Sequence, residues 1–160
     1  MEHPPRVELI GSHDLAASPY AYAAVAHSVR GLVFTAGACP LNAAGDTIAV
    51  GDVAGQAEQA MLNLEIALRA AGTGLRDVVK TTVYVATQQR EDLLAAWEVV
   101  HRHFGDHEAP STLLGVAMLG YRDQLVEISK LSLRSDETRS LPGEGRPISL
   151  KAPVGPAQVA

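Results

Sequence analysis

Cysteine is nearly absent. Cys39 is the one thiol in 160 residues. No intramolecular disulfide can form, and a structural zinc site would have to rest on histidines and carboxylates. Basic residues are also scarce, with 13 Lys and Arg against 18 Asp and Glu and a net charge of −5. No basic run exists to build a patch, which argues against a protein held on nucleic acid by its own field. No apolar run approaches the ~20 residues that a membrane-spanning helix needs. The opening "MEHPPRVELIGSHD" lacks a basic start followed by an apolar core. It is not read as a secretory signal, and a cytoplasmic location is expected. The glycine turns "NAAGD" and "TGL" have neither the spacing nor the lysine of a phosphate loop. No nucleotide, cofactor or metal site is assigned.

What remains is the composition of one soluble domain, 47% hydrophobic and 19% charged, long enough for a single core. Residues 18–29 and 31–40 read as two strands joined at Arg30-Gly31, expected to pair as a hairpin. Residues 47–50 suggest a short further strand. Asp52 is placed to cap a helix that carries Ala57, Ala60, Leu64 and Leu68 at helical spacing and stops at Gly72. "DVVKTTVYVA", 77–86, is a β-branched strand with Val79, Thr81, Val83 and Val85 on one face. A second helix is expected over about 91–104, with Leu93, Leu94, Trp97, Val100 and Phe104 inward. Residues 108–133 read as a closing hairpin turned at "GYRD". In its last strand the apolar parity shifts, from Val126 and Ile128 to Leu131 and Leu133, which means a bulge or two covered faces.

The order is β-β-α-β-α-β-β, an α+β fold with two helices on one face of a mixed sheet. The other face is left to be covered by another subunit. Three divisions follow: an N-terminal extension (1–17), a domain (18–135), and a Pro/Gly-rich tail (136–160) without periodicity.

Glu127 stands alone in the middle of an apolar strand. A carboxylate there needs a partner or a chemical task, and the facing strand of the expected hairpin, 111–119, has no Lys or Arg. Cys39 is a candidate nucleophile whose competing reading is a small buried hydrophobe. "HRHFGDH" brings His101, His103 and His107 together. A solvated helix end complementing the C-terminal dipole is preferred to a metal site.

Six stretches in order carry a resemblance: "SPYAYAAV", "LVFTAGACPL", "GDVAGQAEQAMLNLEIALRAAG", "DVVKTTVYV", "APSTLLGVAMLG" and "LVEIS". Over residues 18–133 the chain resembles the RidA (YjgF) family of reactive-intermediate deaminases. The resemblance implies a chorismate-mutase-like fold and a barrel-like homotrimer with small-molecule pockets at its subunit interfaces. It implies cofactor-independent hydrolysis of imines and enamines. A typical family site holds the substrate carboxylate with an arginine in a "P-A-R-S/T" stretch. Here that stretch is "A-P-S-T", with Ser111 in the arginine's place, Leu113 where some members have cysteine, and Ala36 for the serine of "S-G-Q". Carried onto this chain, the resemblance makes Glu127 and Tyr20 the catalytic candidates. Ser111, Thr112, Gly37, Ala36 and Gln89 become the substrate-binding candidates.

Two readings of function result. One is a RidA-like hydrolase acting on a substrate other than the usual 2-imino acid. The other is a trimer that binds or senses a small metabolite without turning it over. Ribonuclease activity, attached to relatives, is disfavoured by the acidic charge and by the lack of a His or Lys pair near the pocket.

Overall fold

The computed structural model describes residues 6–27 and 29–134. The tail expected at 136–160 lies outside the described residues. Strands β1 (Val7–Ile10) and β2 (Ala23–Ala26) form a two-stranded antiparallel sheet. The main sheet contains β3 (Leu32–Phe34), β4 (Val78–Ala86), β5 (Ser111–Val116) and β6 (Val126–Leu133), in the order β3-β6-β4-β5. Helices α1 (Val53–Ala70) and α2 (Arg90–Phe104) lie on one face of it. The architecture is the expected mixed α+β one, with one strand more at the N-terminus.

The helices begin and end where local chemistry dictates. The Asp52 carboxylate accepts from the Gly55 N–H at 3.0 Å and caps α1. Gly72 and Gly105 take positive φ at the ends of α1 and α2, a conformation that suits glycine. Leu94, expected inward, is half exposed, and Ala96 and Val99 occupy the buried face of α2 instead.

Strand pairing departs from the sequence reading in three places. The expected hairpin between 18–29 and 31–40 does not form. β2 pairs with β1, where Val7 meets Ala26 and Ile10 meets Ala23, while β3 pairs with β6. Arg6 ties the start of β1 to Asp77 and to the Arg134 carbonyl. The expected short strand at 47–50 is reduced to a single bridge between Leu41 and Thr47. The closing hairpin is also absent. β4 lies between β5 and β6, parallel to the first and antiparallel to the second. Being long and β-branched, β4 takes the central place, and α2 supplies the crossover that parallel neighbours require.

The register also explains the parity shift. The helix-covered face of β6 runs Val126, Ile128, Lys130, Ser132, with no break in alternation. The irregularity is in β4, between Val78 and Lys80, so Val78 rather than Val79 is buried with Thr81, Val83 and Val85. Lys130 is thus a lysine in the core, opposite Thr81. Its side chain lies with Nζ 3.7 Å from the centroid of the Phe104 ring. Among the described residues Nζ finds no hydrogen-bond partner. Burial pushes its pKa down to about 7, with Glu65 pulling the other way. The opposite sheet face exposes Leu32, Phe34 and Leu114, as a face awaiting a partner would.

The Lys130 shift sets a pH dependence. The unfolded chain binds the lysine proton up to about pH 10.5, and the folded chain releases it near 7. Between these values the unfolded state holds more protons, so stability rises with pH through this window and falls as pH drops through about 7. Replacing Lys130→Met removes the buried amine. Denaturant titrations at pH 7 and pH 9.5 should find the variant more stable at pH 7, by on the order of a few kcal/mol, and its gain smaller at pH 9.5.

Candidate functional site

Glu127 is on the open face of β6, opposite Tyr84 of β4. The cation sought in the sequence is replaced by two neutral donors. The Gln124 amide donates to Glu127 Oε2 at 3.3 Å. The Cys39 thiol donates to the same oxygen at 3.6 Å. Oε1 lies over Gly37, where a Cβ would overlap the carboxylate and Cγ of Glu127. Glycine at 37 is therefore a requirement of the site, because any side chain there displaces the carboxylate. The nearest lysine on this face, Lys80, is engaged with Thr112 Oγ1 at 2.6 Å.

Both sides of this seat are anchored to α1 by side-chain amides. Asn63 Nδ2 donates to the Cys39 and Leu41 carbonyls, each at 2.9 Å, which fixes the segment carrying Gly37 and Cys39. Ala38 exchanges backbone bonds with Ile128 and pins the same segment against β6. Gln56, fully buried, donates to the Asp123 carbonyl at 2.8 Å and accepts from the Leu125 N–H at 2.6 Å. That holds the loop carrying Gln124. Gln124 itself is 4% exposed, with Oε1 accepting from the Tyr121 N–H and Nε2 also donating to the Val126 carbonyl. A cleft of about 410 Å³ opens beside the seat, lined among others by Phe34, Ala36, Gly37, Cys39, Asn63 and Tyr121.

Cys39 is a poor nucleophile in this setting. Burial, and then the negative charge of Glu127, push its thiol up to about 11, so the thiolate is scarce at neutral pH. The thiol acts as a hydrogen-bond donor.

The remaining candidates are elsewhere in the chain. Tyr20 packs edge-on against Trp97 of α2, with ring centroids 6.1 Å apart, and lines a second cleft of about 250 Å³ with Tyr22, Asp106 and Glu108. The neighbouring Ala21 N–H bonds the Glu108 carbonyl, which brings this segment to the start of β5. There Ser111 pairs with Thr81 on the helix-covered face, and its hydroxyl donates to the Ala109 carbonyl at 2.9 Å. Thr112 pairs with Thr82 on the open face. Gln89 is the exposed N-cap residue of α2, and its N–H is held by the Thr87 hydroxyl. Ala36, Gly37, Cys39 and Glu127 therefore form one group on β6 and the segment beside it. Tyr20 and Ser111 belong to another, beyond β4.

The histidine cluster is not the solvated helix end expected from the sequence. His103 is wedged between α1 and α2, with Nδ1 2.8 Å from Glu65 and Nε2 3.0 Å from Glu58. His107 is buried and bonded to the Val78 carbonyl at 2.8 Å. Residue type and helical position gave no sign of carboxylates contributed by a second helix. Gln124 was likewise missed, since a loop glutamine carries no signal until the loop folds back onto its own strand.

A family model described as endoribonuclease L-PSP matches residues 12–133. The chain belongs to that family, known also as RidA or YjgF. A RutC family protein of Pyrococcus horikoshii is 31% identical over 102 residues, 64% of this chain and 79% of the relative. Among solved structures, the Rid family protein YyfB of Yersinia pestis superposes with a TM-score of 0.75 at 25% identity, covering 80% of this chain and 98% of that one. The TdcF protein of E. coli, solved with bound serine, gives 0.57 at 28% identity, covering 80% of this chain and 99% of that one. Among the described residues no helix is long and apolar enough to cross a membrane.

Two substitutions test the seat. Gly37→Ala should leave the fold intact, because the obstructing atoms belong to a side chain that can move, and a crystal structure of the variant should find Glu127 turned away from position 37. Asn63→Ala leaves two carbonyls without their donor and should cost about 1–3 kcal/mol in a urea titration.

Proposed function

We propose that the protein hydrolyses imines or enamines that lack the carboxylate anchor of the usual 2-imino acids. The observation behind this reading is the seat of Glu127. Oε2 is occupied by two neutral donors, and Oε1, lying against Gly37, has no hydrogen-bond partner among the described residues. A carboxylate held in this way is placed to act as general base. Water adds to the C=N carbon as Glu127 takes its proton. The nitrogen is protonated, the C–N bond breaks, and a carbonyl compound and ammonia leave. No arginine is present at 111, so the tight bidentate recognition of a carboxylate is missing. The apolar lining of the neighbouring cleft suits a neutral substrate. The serine bound in the structure of TdcF supports an amino-acid-sized ligand.

In this reading the site is composite. Glu127, Gly37 and Ala36 come from one protomer of a homotrimer, and Tyr20, Ser111, Thr112 and Gln89 come from its neighbour, of which Thr112 is on the open sheet face. The reading includes a cytoplasmic location, no cofactor, no nucleic-acid partner, and the division into extension, domain and tail at 17 and 135. A second reading, a trimer that binds a metabolite without turnover, draws on the Ser111 hydroxyl, which is engaged by its own backbone.

The test couples a pyridoxal-phosphate enzyme that releases an imine to this protein and follows loss of the imine signal, with carboxylate-bearing and carboxylate-free substrates. Wild type should accelerate hydrolysis of the carboxylate-free imine, and Glu127→Gln should lower kcat by about 100-fold or more. Ser111→Arg should shift preference towards the carboxylate-bearing one. Tight binding of these compounds with no turnover by wild type would favour the second reading.

A further inference from the structure

We infer that Cys39 and Gln124 are positioning residues that commit one oxygen of Glu127 to the protein and leave the other, Oε1 above Gly37, as the atom that exchanges the proton. The inference rests on the proposed hydrolase reading for its catalytic consequence, and on geometry alone for the arrangement itself.

Both donors converge on the same oxygen, Oε2. Neither reaches Oε1. Gln124 has no freedom to do otherwise. Its Oε1 is held by the Tyr121 N–H, its Nε2 is shared with the Val126 carbonyl, and the residue is buried. Cys39 is fixed through its own carbonyl, which accepts from Asn63. Its Sγ lies 3.7 Å from the Gly37 carbonyl and 3.6 Å from Glu127. The two donors come from different segments, one tied to α1 by Asn63 and the other by Gln56. The carboxylate is therefore clamped from two sides against rotation about its last bond. A carboxylate free to rotate would present either oxygen, and productive geometry would be a fraction of its states. Clamped, it presents Oε1 alone, over the one residue without a side chain. The thiol makes no covalent step in this arrangement. It stays protonated, as a thiol pushed up to about 11 does at neutral pH.

The arrangement can be tested without any substrate, because Cys39 is the only thiol in the sequence. Burial, and then the neighbouring carboxylate, raise the thiol, so iodoacetamide should alkylate wild type slowly at pH 8.5. Glu127→Gln, which removes the charge, should raise that rate severalfold. Equal rates in the two proteins would overturn the arrangement. The catalytic consequence is read from turnover. Cys39→Ala and Gln124→Ala should each lower kcat about tenfold with KM little changed, and Cys39→Ser, which keeps a donor, should restore most of it. An unchanged kcat in Cys39→Ala, or a serine variant as slow as the alanine one, would overturn the positioning role. Should wild type turn over no imine, the hydrolase reading fails, and the alkylation rates alone decide whether the clamp exists.

Discussion

A carboxylate lying flat against a glycine is the constraint around which the site is built. Glu127 is on a strand whose other face is packed under two helices, so its backbone cannot shift to make room. Room has to come from the opposing segment, and Gly37 gives it by having no side chain. The segment must then be held against β6 without crowding the carboxylate. The Ala38–Ile128 bridge and the Asn63 amide do this from behind. The loop that brings Gln124 must also end at the right height, which Gln56 fixes from the same helix. One buried face of α1 thus sets both walls of the seat, and the stability of the helix layer and the geometry of the site are one problem.

Beneath that helix layer, β6 carries an unusual residue. Lys130 occupies a core position three residues after Glu127 on the same strand, so it points to the opposite face. Its amine lies over Phe104 with no hydrogen-bond partner among the described residues. A cation–π contact is a partial substitute for water, which fits an ammonium that gives up its proton near pH 7. The His103 bridge to Glu58 and Glu65 adds polar contacts to the packing of α2 on α1. The interface of the two helices is therefore more electrostatic than their alanine-rich faces suggest.

Both helices were legible in the sequence because their signals are local. Asp52 before an alanine-spaced run, and glycines at 72 and 105, fix starts and stops within a few residues. Strand pairing was not legible to the same degree, because partners are chosen across the chain. Residues 108–133 have the look of a hairpin, yet the better partner for both of its strands is the β-branched run at 78–86. Val7–Ile10 reads as part of an extension until it is seen to pair with β2. The family motifs located Glu127 and Gly37, and the structure places them in contact. Gln56 and Asn63 lie inside the stretch "GDVAGQAEQAMLNLEIALRAAG", and their work as amide struts appears only once the helix lies against the two site segments. Gln124 could not be read at all, since its role depends on a loop conformation.

In the proposed homotrimer a neighbouring protomer brings together the two groups of candidate residues, Glu127 with Gly37 on one side of β4 and Tyr20 with Ser111 on the other. The most direct measurement of that claim is complementation. Glu127→Gln and Tyr20→Ala proteins would be unfolded together in equal amounts, refolded, and assayed for imine hydrolysis. If each site draws on two protomers, about a quarter of the interfaces in a randomly mixed ring carry both wild-type halves, and the mixture should regain about that fraction of wild-type activity. A mixture no more active than its two parents, under conditions where wild type refolds to full activity, would contradict the composite site.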